Sequence, residues 1–342
     1  MKKFFPIALT VMVLCAPQLH SQVAGPLKFI QSIPLPGLQD GDFEHFALDS
    51  PGQRLFLGAE DNLAVVVIDL RTNKLIHTIT GLKTPPHSLV YRTDLKKLFV
   101  VVGDEKAGEV EIFDTDSYKP GGSIELKEGA DSSAYDPSAK YMYVVNGGGD
   151  AHMAYSFVSV IDTTTEKKLA DINIDSDSVE AMALEKSGPR MFVNVRGNSA
   201  VGVIDREKRT VIATWSIAQV GKVNTAMALD EAHHRLFVFT RDPGKFIVMD
   251  SDSGKIITTF PCEGQTDDAV YDPGTKRIYV SGVPFLYVFE QRNANGYRLL
   301  GEVPTAFHAI TAILVPELHQ YYLAVPHHGD TPAEVQVYRV VP

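Results

Sequence analysis

Glu44, His87, Asp131, Glu180, Thr225, Asp267 and Ile310 recur along the chain at intervals of 42 to 49 residues. Five of these seven positions hold a carboxylate or an imidazole. The next column reads His45, Ser88, Ser132, Ala181, Ala226, Asp268 and Thr311, which adds an imidazole, an acid and hydroxyls. Oxygen ligands of this kind suit calcium, and oxygen mixed with imidazole suits zinc or manganese. The same groups attract a cationic ligand or peptide by opposite charge. Crowded carboxylates also raise one another's pKa, which makes a general acid or base. Plain solvation of a polar mouth accounts for the same residues without any ligand.

Further groups fall near these columns. Arg196 and Arg241 occupy equivalent places in neighbouring units, and paired guanidinium groups bind carboxylate or phosphate, or else the acids beside them. His308 and the run Pro326–His327–His328–Gly329–Asp330 supply more imidazoles. The candidate ligand-binding set is thus Glu44, His45, His87, Asp131, Glu180, Arg196, Arg241, Asp267 and His308. The candidate metal set is His87, Asp131, His327 and His328. The glycine-rich stretch from Asn146 to Ser156 lacks the Gly-Lys-Ser/Thr of a phosphate loop and reads as a flap, with Asp150, His152 and Tyr155 able to reach a ligand. No G-x-S-x-G elbow, dinucleotide fingerprint or C-x-x-C-H haem site occurs.

Only a repeating scaffold can bring such columns together, and the repeat is plain. Its copies include FALDSPGQRLFLG with AVVVIDLRTNKLIHTI, and MALEKSGPRMFVNV with AVGVIDREKRTVIATWSI. Anchored on Leu55, Leu98, Met142, Met191, Leu236, Ile278 and Tyr321, the spacings are 43, 44, 49, 45, 42 and 43. Each unit holds four short runs rich in Val, Ile, Phe and Tyr, separated by Asp-Pro, Ser-Gly or Thr-Asn turns. Four strands in about 45 residues describe a propeller blade, and seven anchors predict an all-β, seven-bladed β-propeller with four antiparallel strands per blade. The last unit supplies three strands, so Leu27 to Leu35 is expected to complete it and close the ring. An open solenoid would leave two bare strand edges. The acids of the VID motif (Asp69, Asp114, Asp162, Asp205 and Asp250) recur too regularly for catalysis and are expected to cap turns, as are Asp49, Asp136, Asp230 and Asp272.

The strand pair YMYVVNGG and VSVIDTTTEKKLA, with its period over the remaining chain, resembles the YVTN or YncE-like seven-bladed propeller proteins. The resemblance implies that fold and an exported or surface location in a prokaryote. The signature Asn stands at Asn146, and its counterparts are Ala59, Val102, Val195, Thr240, Gly282 and Val325. Wider seven-bladed relatives include lactonases, so the fold by itself does not choose a chemistry.

The 342 residues are 44% apolar and 22% charged, the composition of an ordinary folded protein, and the formal charge of -10 disfavours nucleic acid as a partner. Residues 1–21 carry Lys2 and Lys3, then an apolar run from Phe4 to Cys15, and read as a signal peptide cleaved at about 21–24. The run is too short to span a bilayer, and no later segment approaches the needed length. Export leaves the propeller as residues 22–342, periplasmic or extracellular, with Cys262 its only cysteine and hence no intrachain disulfide. The expected function is a monomeric binding module that takes a peptide, a protein or a small polar ligand at the channel mouth, without a cofactor unless a divalent metal. The alternative is a metal-assisted, lactonase-like hydrolase using Glu44, His87, Asp131, Glu180, Asp267 and His327 or His328.

Overall fold

A computed structural model describes residues 25–342; the expected signal peptide, residues 1–21 with its cleavage point, lies outside the described residues. Strand chemistry wins throughout. Seven four-stranded antiparallel sheets follow one another around a ring, and the only helical pieces among the described residues are three single 3₁₀ turns. The blades occupy 43–80, 86–125, 133–174, 182–216, 222–261 and 265–304, and the seventh joins 312–340 to 27–34. No helix among the described residues is long and apolar enough to cross a membrane.

Closure is as the strand count requires. Leu27–Pro34 pairs antiparallel with Glu334–Val340 and stands as the outer strand of the last blade, so the first and last segments of the ring share one sheet. This removes the two bare edges that an open array would carry.

The seven anchors each fall on the second residue of the second strand of a blade and are no more than 1% exposed. Packing is peripheral. Apolar side chains gather in seven clusters, each formed largely between two adjacent blades, such as Phe237, Phe239, Phe246, Phe289 and Tyr297 between the fifth and sixth. The axis of the ring is left as a channel lined by inner strands, which is why polar residues are tolerated there.

A second regularity holds the blades together on the face away from the mouth. The residue just before each anchor is basic in five blades, and in four of them it reaches the last hairpin of the following blade. Arg54 Nη1 donates to the Thr115 carbonyl at 2.8 Å, Arg190 Nη1 to the Ser251 carbonyl at 2.7 Å and Arg235 Nε to the Ala294 carbonyl at 2.9 Å. Lys97 pairs with Glu166, and Arg277 donates to the Val341 carbonyl at the chain end. The VID acids cap turns as expected: Asp69 Oδ1 accepts from the Thr72 amide at 2.8 Å, and Asp114 Oδ1 from the Ser117 amide at 2.8 Å. The second series does the same, with Asp49 Oδ1 accepting from the Gly52 amide at 2.9 Å.

Candidate functional site: the acidic channel mouth

All seven residues of the first column line one cavity of about 430 Å³ at the mouth of the channel. Local backbone irregularity aims several of them there. The inner strand of the first blade, Phe43–Asp49, breaks register between Phe43 and Phe46, which frees Glu44 and His45 from the ladder. Pro86–Arg92 breaks register between Pro86 and Ser88 at His87, and Gln265–Asp272 between Thr266 and Ala269 at Asp267 and Asp268. A bulge leaves its residue unpaired and turns the side chain out of the alternation, here toward the axis.

Hydroxyls from both columns tie the inner strands to one another. Ser88 Oγ donates to the Asp131 carbonyl at 2.7 Å, Thr225 Oγ1 to the Thr266 carbonyl at 2.7 Å and Thr311 Oγ1 to the Phe43 carbonyl at 2.8 Å. Asp268 uses both oxygens: Oδ1 takes His45 Nδ1 at 2.8 Å, and Oδ2 accepts the Ala312 amide at 2.8 Å. Below the mouth a further cavity of about 290 Å³ runs into the channel, and His45, Ser132 and Asp267 line both.

Negative charge dominates the mouth. Its lining holds the acids Glu44, Glu60, Asp104, Glu105, Asp131, Asp150, Glu180 and Asp267 against Arg196 and Arg241. Both arginines are spent on ring acids: Arg196 Nη1 meets Glu180 at 2.6 Å, and Arg241 Nη2 meets Asp267 at 3.2 Å. Burial, reinforced by Asp131, pushes Glu180 up to about 7 despite Arg196. Burial likewise lifts Asp267 to about 6, against the pull of His45. Glu44 is driven well above the ordinary carboxylate range by burial and by Asp267, and burial raises Glu60. Burial opposes the charged form of His45, yet the Asp268 carboxylate outweighs it and raises the imidazole well above its usual value. The mouth therefore keeps protons near neutrality that ordinary carboxylates would have lost.

Some candidates lie elsewhere. His308 is not in the lining; its Nδ1 bonds Asp42 at 2.9 Å, and its ring stacks on Phe307. His327 pairs with Asp40, and His328 stacks on the other side of Phe307. The expected metal set of His87, Asp131, His327 and His328 is corrected accordingly: ligand atoms close enough to share an ion join His87 to Glu44 and Glu60, not to His327 or His328. Those two imidazoles sit in the loop of the seventh blade, where Asp40 of the segment entering the first blade holds His327 and Phe307 packs on His328. Of the flap, Asp150 lines the cavity, whereas Tyr155 packs edge-on against Phe157. Gly129, at φ +64°, carries no side chain where a Cβ would lie 2.8 Å from that of Asp150, so flap and neighbouring loop close together.

Glu60 and Asp104 were not among the candidates. A signal for Glu60 existed: five residues past each anchor stand Glu60, Gly103, Gly147, Arg196, Arg241, Val283 and Pro326, the column that supplies both arginines.

No protein-family model and no curated protein sequence matches the chain. Solved structures do. The chain is similar to a chain of the mitotic checkpoint complex at a TM-score of 0.76 and 14% identity, over 99% of this chain and 100% of that one. It is similar to RRP9 WD40 repeats at 0.75 and 10% identity, over 93% and 99%. Hydrazine synthase of Kuenenia stuttgartiensis gives 0.70 and 16% identity, over 91% and 96%. At such identities the likeness is one of fold: a seven-bladed, WD40-like β-propeller.

Proposed function

We propose that this protein is a binding module whose recognition surface is the acidic mouth, and that its ligand presents positive charge there, as an ammonium or guanidinium of a peptide or of a small polar amine. One observation carries the reading: eight carboxylates line a single cavity while its two arginines are already committed to two of them. Such a cavity focuses a negative potential on whatever enters. The WD40-like scaffold supports the reading by analogy, since a similar chain comes from a multi-protein complex. The resemblance to YVTN or YncE-like proteins and the basic-then-apolar stretch of residues 1–21 support an exported form; N-terminal sequencing of protein recovered outside the cytoplasm tests that part.

Isothermal titration with trilysine, putrescine and a neutral Gly-Ser peptide, all in chelator, tests the mouth. The cationic probes are expected to bind, and the Glu44→Gln/Asp267→Asn double variant to weaken them at least tenfold. Trilysine binding without putrescine binding identifies a peptide ligand, and the converse a small amine. Equal binding of the neutral peptide, or no loss in the double variant, sinks the reading. Metal-assisted hydrolysis is the second reading, favoured by two three-residue clusters of ligating groups in the mouth. It requires metal-dependent turnover of a lactone or ester.

A further inference from the structure

The positive charge of the mouth is unevenly distributed. Arg196 and Arg241 answer acids of the fourth and sixth blades, whereas the first blade places Glu60 in that same column. Glu44 and Glu60 have no lysine or arginine ion-paired to them among the described residues. Beside them stands His87, and ligand atoms of these three side chains all lie within 4.8 Å of one another.

The histidine is held as a ligand would be. Its Nε2 lies 3.0 Å from the Gly103 carbonyl oxygen, which can only accept, so Nε2 carries the hydrogen and Nδ1 of the neutral ring keeps the lone pair. A ring nitrogen bonded to a backbone carbonyl, with the other left free, is the outer-shell arrangement that orients metal-bound imidazoles. That carbonyl is positioned by a close approach between blades, because a Cβ on Gly103 would lie 2.4 Å from the Ala130 carbonyl oxygen. The other cluster, Glu44 with His45 and Asp267, has its imidazole taken up by Asp268 and brings its own positive charge.

We propose that Glu44, Glu60 and His87 form a binding site for one divalent transition-metal cation, of which Zn²⁺ is the type. Two carboxylates and one imidazole match zinc's preference for nitrogen together with oxygen, and a nitrogen ligand disfavours Ca²⁺ and Mg²⁺. Three protein ligands leave a position for water or for part of a bound molecule. The inference deepens the reading of the mouth as a site for positive charge and rests on it.

Chelator-stripped protein titrated with Zn²⁺, by calorimetry and by metal analysis after dialysis, decides the matter. One equivalent bound in the micromolar range or tighter is expected. Glu60→Gln and His87→Gln should each weaken it at least tenfold, and Co²⁺ in place of Zn²⁺ should give a visible spectrum that His87→Gln alters. His87→Gln retains a side-chain donor for the Gly103 carbonyl, and its thermal melt separates ligand loss from misfolding. Absence of stoichiometric Zn²⁺, Zn²⁺ affinity unchanged in folded His87→Gln, or Ca²⁺ bound as tightly as Zn²⁺ overturns the site. Because the trilysine and putrescine titrations are run in chelator, their success beside a failed Zn²⁺ titration rejects the metal site alone, and their failure beside a positive Zn²⁺ result rejects the organic ligand alone.

Discussion

His45 of the first blade and Asp268 of the sixth meet at 2.8 Å, although the seventh blade stands between them in the ring. The same carboxylate reaches the seventh blade through the Ala312 amide, so three consecutive blades are joined at the channel wall. Both residues lie in register breaks of their inner strands, which is what lets them meet past the seventh blade.

That pair, with the acids beside it, gives stability a definite slope with pH. The His45 imidazole is raised by Asp268, so its contribution is full below about pH 6.5 and is lost as pH climbs through its folded value. Glu180 and Asp267, lifted to about 7 and about 6, hold protons longer when folded, so they too favour the native state less as pH rises. The thermal midpoint should therefore fall from pH 6 to pH 8. Glu44→Gln and His45→Gln should each flatten that fall, and a midpoint indifferent to pH, or the wild-type slope in both variants, contradicts the assignment.

Ligand binding should run the other way. A cation entering the mouth competes with the protons on Glu180 and Asp267, so affinity for trilysine should rise from pH 5.5 to pH 7.5, by up to about tenfold per pH unit for each proton displaced. Calorimetry in buffers of different ionisation enthalpy reads the released protons directly. Affinity that falls over this range would mean the ring acids are not the recognition groups.

Arg190 is a joint between the fourth and fifth blades, bonded to Glu185 at 2.5 Å, the Ser251 carbonyl at 2.7 Å and Asp252 at 2.7 Å. Its replacement by Met leaves Glu185 without its partner and should cost about 2–3 kcal/mol in a denaturant melt. A change below about 0.5 kcal/mol would reduce the recurring basic residue to surface decoration.

Phe246 is wholly buried and packs against Phe237, Phe239, Phe289 and Tyr297 between the fifth and sixth blades. Phe246→Ala should cost about 3–5 kcal/mol, measured by the same melt. Cys262, buried in that cluster and with its thiol pushed up by burial, should stay unmodified by a bulky maleimide until the protein unfolds.

The period of the chain carried the architecture. Anchors every 42 to 49 residues fall on the second strand of every blade, and the expected strand from Leu27 to Leu35 closes the ring as Leu27–Pro34. The first column of ring residues followed from the same count, because equivalent positions of repeated blades must face the same axis. The basic residue before five of the anchors was visible too, but the partners of Arg54, Arg190 and Arg235 lie some 60 residues onward in the next blade, at a distance no single repeat reveals.

Sequence by itself determined the number of blades, the closure of the ring and the side chains offered to its axis, since each depends only on period and on which face of a strand is apolar. Tertiary structure decided which of those side chains meet. His327 and His328 go to a rim loop with Asp40 and Phe307, and His87 joins Glu44 and Glu60, because bulges and inter-blade approach set direction and distance independently of the repeat. A column of equivalent residues shares a radius; only packing between blades settles the few ångströms on which ion pairing and coordination depend.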